Sequence, residues 1–209
     1  MGGFTLRDMI VNGWPVLSVL TVCSIISATI ICDRFMALRL AAMNARLFVA
    51  NVIKILQEQG GGRALAYCDQ FRKPIAAVVS EILLQTGGRE ARERALRHAV
   101  QVQIHELERW IPVLGTIAGT APFIGLLGTV IGIIKAFHDI SVNVGGGPEV
   151  VSAGIAEALI TTAFGLLVAI PAVMTFDYCI RKVQKAADEI DIAAYELIER
   201  LSAGENESR

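Results

Sequence analysis

For a chain of 209 residues this one has little charge, 19%, and few aromatic residues, 6%, while 54% of it is hydrophobic. Soluble domains carry about 25% charged residues, so the shortfall excludes an ordinary water-soluble fold. No stretch shows the two-residue alternation of a half-buried strand, which leaves nothing from which to build a sheet. The four cysteines, Cys23, Cys32, Cys68 and Cys179, have neither disulfide nor metal spacing. His98 and His105 lie seven apart, but no carboxylate or cysteine completes a metal set with them. The glycine-rich Gly125–Gly132 run lacks the lysine of a phosphate-binding loop. No nucleophile stands beside a base. An enzyme, a metal site, a bound cofactor and a nucleic-acid partner are therefore not expected.

What is present is apolar sequence in long runs. A hydrocarbon core of about 30 Å needs roughly 20 apolar helical residues, and Val11–Cys32, Ile111–Phe137 and Val150–Tyr178 each supply them. The expected fold is an all-α membrane protein with three transmembrane helices and long cytoplasmic helical extensions. Its segments run as a short N-terminus (1–10), span one (11–32), a helical domain (33–110), span two (111–137), a loop (138–149), span three (150–178) and a C-terminal helix and tail (179–209). The apolar stretch of span one is long for a cleaved leader, and Asp33-Arg34 follows it as a stop, so it is expected to be a retained anchor.

Charge sets the orientation. Of the 19 Lys and Arg, twelve lie between Arg34 and Arg109 and five follow span three, whereas the 138–149 segment has none. Arg34, Arg39, Arg109, Arg181 and Lys182 stand close to span ends. The positive-inside tendency then places the N-terminus outside and the C-terminus in the cytoplasm.

Between spans one and two, helical stripes recur: Phe48, Val52, Ile53 and Leu56; then Ile75, Val78, Val79, Ile82 and Leu83; then Leu96, Val100, Gln103, Leu107 and Ile111. Gly60-Gly61-Gly62 and Gly87-Gly88 separate them, and the last stripe reads as running straight into span two. After span three, Ile190, Ala194, Leu197 and Leu201 are spaced to pack against another helix, with the same helix of a neighbouring copy as one candidate. The polar end from Ala203 reads as irregular.

Spans two and three are rich in small residues. Gly115/Gly119 and Gly128/Gly132 are spaced four apart, with Gly125 between them, and span three adds Gly165. Lipid gives no hydrophobic drive for helix association, so such residues matter because they let backbones approach. That packing suits a scaffold as well as a channel.

Three polar residues stand out in these spans. Glu157 lies about 9 Å inward from Val151 along a helix, where a carboxylate is costly unless it meets water, a partner or a proton; the alternative is that it snorkels or caps a neighbour. Thr129 and Thr162 fall about 12 and 17 Å inward from Phe137 and Val151, at neighbouring depths. Each hydroxyl could bond its own helix one turn back or line a narrow polar path, although threonine cannot store a proton.

The runs TAPFIGLLGTVIGI (Thr120–Ile133) and GIAEALITTAFGLLVAIPAV (Gly154–Val173) resemble the MotA/TolQ/ExbB proton-channel family, in its three-span ExbB/TolQ type. The resemblance implies an inner-membrane motor subunit, a homopentamer in the lipid bilayer around a dimer of a single-span ExbD/TolR-like partner. It implies that Thr129 and Thr162 line the proton route and that Glu157 is the family's glutamate. It further implies that an aspartate in the partner titrates, and that a TonB- or TolA-like protein receives the work. Span one, by contrast, reads mainly as an anchor.

Overall fold

The computed structural model describes residues 14–41, 43–142 and 148–207. The expected N-terminal segment 1–10 and the centre of the 138–149 loop lie outside the described residues. The described residues fold into seven helices and no strand: α1 (Trp14–Ala41), α2 (Ala45–Gln59), α3 (Gly61–Cys68), α4 (Pro74–Leu84), α5 (Arg89–Glu108), α6 (Ile111–Val142) and α7 (Pro148–Glu207). It divides into two compact units, one of 1–33 and 110–178 and one of 34–109 and 179–209.

The first unit holds three apolar stretches long enough to cross a membrane, within Pro15–Arg39, Ile111–Ser141 and Ser152–Ala203. Its exposure is inverted relative to a soluble bundle. Phe123 is 70% exposed, Ile134 63% and Leu167 66%, an outward apolar surface that lipid covers at no cost. Inside, Leu20 and Ile30 of α1 pack with Leu114, Ile117 and Ala121 of α6 and with Val168, Ala169 and Ala172 of α7. Span one is thus part of the packed core rather than only an anchor. Pro122 and Pro171 sit within α6 and α7, each withholding one N–H from its helix.

The second unit is a helical core. Asn44 caps α2 by accepting from the Leu47 N–H at 3.2 Å, and Gly60 ends it at φ 84°, a left-handed conformation that glycine adopts without a Cβ penalty. The short helix α3 starts at once within the triple glycine, which the expectation of a simple break did not include. Pro74 opens α4 at a position where its missing N–H costs nothing. Val49, Val52, Val78, Val79, Ile82 and Leu96 form the core, which Phe48, Tyr67 and Phe71 extend with ring centroids 5.1–5.6 Å apart.

Three expectations change here. The stripe of α5 does not run straight into α6: Trp110 intervenes at φ 68°, a conformation that costs a side-chain-bearing residue about 1–2 kcal/mol. Ile190, Ala194 and Leu197 pack into the core of their own chain and need no neighbouring copy. The segment after Ala203 stays helical as far as Glu207.

Cys68 is buried in this core at 2% exposure. Burial, and then the adjacent Asp69 carboxylate, push its thiol up to about 11. The fold therefore favours the neutral thiol. This stabilisation is complete below the ordinary thiol range and is lost as pH rises from that range towards the folded value. At pH 8 roughly one Cys68 thiol in a thousand is ionised. Iodoacetamide labelling, followed by mass spectrometry of the Cys68 peptide, should run at least about a hundredfold slower in the folded than in the urea-unfolded chain.

Candidate functional site

Within the first unit α6 and α7 meet along a seam of glycines in antiparallel register. A Cβ built on Gly132 would lie 2.8 Å from the Ala158 Cβ, one on Gly125 would lie 2.8 Å from the Thr161 carbonyl oxygen, and one on Gly165 would lie 2.7 Å from the Ala121 carbonyl oxygen. Each step of about four residues back along α6 is answered by a similar step forward along α7. Real Cβ atoms do not come so close, so glycine is what permits this approach. A Cβ built on Gly128 would run into the Thr161 side chain and lie 3.0 Å from a methyl of Val16 on α1, so three helices converge there. A Cβ on Gly115 would meet the Phe176 ring at 2.8 Å. Gly119 departs from the expected packing set: it is exposed and nothing lies within 4 Å of its Cβ position, because the seam passes along another face of the helix at that level.

The threonines differ from one another. Thr129 is buried at 9% exposure, and its hydroxyl donates to the Leu126 carbonyl at 2.7 Å, the back-bond of an ordinary helical threonine. Thr162, one turn from Gly165, has a buried hydroxyl with no hydrogen-bond partner among the described residues. Its backbone lies against α6, the Thr162 Cα being 3.0 Å from the Gly125 Cβ position. An unpaired buried hydroxyl costs about 1–3 kcal/mol, so this polar group is not there for the benefit of the helix pair.

Thr161 is the residue that the sequence did not single out. It is 3% exposed, and its hydroxyl is within donating distance of the Ala158 carbonyl at 2.7 Å and, across the seam, of the Gly125 carbonyl at 3.1 Å. The available signal was its place one residue from Thr162 in a run facing glycines. Glu157 is partly buried on α7, and Lys135 on α6 is the charge that acts on it. By the register of the seam, Glu157 stands near the level of Gly132, while Thr129 stands near Thr161. The structure therefore brings Thr129, Thr161 and Thr162 to one level of the seam and sets Glu157 about one turn away. No group of three metal-ligating side chains occurs among the described residues.

Three apolar helices around a seam carrying these polar groups define a multi-pass membrane protein. Residues 69–192 match the model of the MotA/TolQ/ExbB proton channel family, and the chain belongs to that family. Its members are channel and motor proteins rather than enzymes.

Two relatives give the scale of the similarity. The biopolymer transport protein ExbB of Xanthomonas campestris is 38% identical over 112 residues, 54% of this chain and 44% of that protein. The Tol-Pal system protein TolQ of Haemophilus influenzae is 48% identical over 84 residues, 40% of this chain and 37% of that protein. The matched stretches thus span less than half of either relative. The structure of C. jejuni MotAB shares the fold at a TM-score of 0.65 and 17% identity, covering 97% of this chain and 82% of that one.

Proposed function

We propose that this chain is the channel-forming subunit of a proton-driven motor that works on the cell envelope with a single-span ExbD/TolR-like partner. The observation that carries the reading is the buried, unpartnered Thr162 hydroxyl beside the glycine seam. A proton path needs polar groups with bonding capacity to spare, and a purely structural helix pair satisfies its own. Threonine orders water or donates a hydrogen bond but does not titrate at useful pH. The titrating carboxylate is therefore assigned to the partner, as a dimer within a homopentamer of this chain. Family membership and the ExbB- and TolQ-named relatives support this arrangement.

The N-terminus is assigned to the periplasm and the C-terminus to the cytoplasm, with 33–110 and 179–209 on the cytoplasmic side, from the basic residues at the span ends. Within the class we favour an ExbB-like role in energising TonB-dependent outer-membrane transport over a TolQ-like role through a TolA-like protein. The longer stretch shared with the Xanthomonas ExbB supports this choice.

Proton flux into vesicles containing the chain, with and without an ExbD-like partner, tests the proposal: flux is expected only with the partner. Absence of flux under both conditions reduces the chain to a passive scaffold. In the same assay Glu157→Gln is expected to lower flux about tenfold, a change of roughly 1.4 kcal/mol in the barrier, while the complex still purifies intact. Unchanged flux would return Glu157 to an interfacial role beside Lys135.

A further inference from the structure

The second unit contains a cavity of about 880 Å³ that the motor reading does not use. Four cationic side chains, Arg34, Arg72, Lys73 and Arg109, line it with two acidic ones, Asp69 and Glu106. Arg34 is only 8% exposed and donates from Nη1 to the Leu107 carbonyl at 3.3 Å. The start of α4 also borders the cavity: Lys73 is its N-cap residue, no side chain caps it, and Pro74 follows. The positive end of that helix adds to the positive potential of the side chains.

We propose that this cavity is a binding site for a phosphate group. Three arginines and a lysine drawn from α1, the α3–α4 connection and the end of α5 suit a tetrahedral oxyanion, because guanidinium forks pair with phosphate oxygens two at a time. The size of the cavity fits a headgroup-sized molecule rather than a bare ion. Arg34, on α1, stands two residues past the end of the Val11–Cys32 apolar run, and Arg109 stands two residues before α6. Two of the four cations are thus tied by the chain to the ends of spans, the level at which an acidic phospholipid carries its phosphate. A soluble phosphate compound would present the same chemistry.

The test uses the full chain purified in neutral detergent, with thermal unfolding followed as phosphatidylglycerol, phosphatidylcholine or inorganic phosphate is added. Phosphatidylglycerol is expected to raise the midpoint while phosphatidylcholine is not. A rise with inorganic phosphate alone would support the site with a soluble ligand as its occupant. The double variant Arg72→Gln/Lys73→Gln should weaken the response about tenfold, whereas Lys54→Gln, an exposed cation outside the cavity, should leave it unchanged. Arg109→Gln, on a different segment, provides a second variant with the same expected loss. A midpoint insensitive to both phosphatidylglycerol and inorganic phosphate, the two probes with net negative charge, or a response that the cavity variants leave intact, overturns the proposal. Because the readout is binding, failure here leaves the motor reading standing, and failure of proton flux leaves this site standing.

Discussion

Replacing Thr162 with valine is expected to cut partner-dependent proton flux at least about tenfold, the rate equivalent of one hydrogen bond of about 1.4 kcal/mol, without loss of the assembled complex. The two parts of this expectation have one cause. The Thr162 hydroxyl is buried and makes no hydrogen bond among the described residues, so removing it breaks nothing that holds α6 to α7. Valine matches threonine in shape and removes an unpaired polar group, so thermal stability should hold or rise by up to about 1 kcal/mol. Thr161→Val should behave in the opposite way. Its hydroxyl spans the seam to the Gly125 carbonyl, and its loss should lower stability by about 1 kcal/mol. Flux measured beside the unfolding midpoint separates the two. Equal flux in wild type and Thr162→Val would remove Thr162 from the path.

The second large effect concerns packing. Gly165→Val should prevent the first unit from closing, with a cost of at least about 1–3 kcal/mol from overpacking and loss of the folded complex on gel filtration. The new Cβ would meet the Ala121 carbonyl oxygen at 2.7 Å, the Gly125 Cα at 3.1 Å and the Gly125 nitrogen at 3.3 Å. All three are backbone atoms, which cannot swing aside as a side-chain end can. Gly119→Val provides the contrast, since nothing lies within 4 Å of its Cβ position, and the protomer should fold with an unchanged midpoint. A well-folded Gly165→Val protein would show that the seam is looser than its distances indicate.

The membrane-spanning helices were legible in the sequence because bilayer thickness sets a minimum apolar length, and Ile111 emerged as the start of α6 on that argument. The Phe48, Val78 and Leu96 stripes were legible for a similar reason: helical periodicity marks a buried face. It does not say what covers that face, which is why the Ile190–Leu197 stripe was open to a neighbouring copy until its own core was seen around it. The break at Trp110 had one signal, Pro112 in the first turn of α6, where a proline marks a helix start, but the apolar spacing of Leu107 and Ile111 continues across it as if the helix were unbroken. Among the polar residues, Thr161 and Thr162 are adjacent, and a 100° step around a helix cannot be assigned to one face until the facing helix is known. The glycine contacts supplied that reference, separating a hydroxyl that bridges the seam from one left without a partner. Gly119 meets no neighbour within its own protomer, because four-residue spacing identifies a stripe of small residues without fixing where the facing helix crosses it.

The facing glycines also constrain how this chain can change over generations. When two large side chains touch in an ordinary core, growth on one side is absorbed by shrinkage on the other, and a pair can drift by exchanging volume. Gly125 and Gly165 have no volume left to exchange. A larger residue at either position cannot be rescued by any substitution at the other, so second-site suppressors of such variants must arise elsewhere, by tilting one helix against its neighbour. A suppressor screen started from Gly165→Ala should therefore return changes scattered along α6 and α7, with none at the opposing glycine.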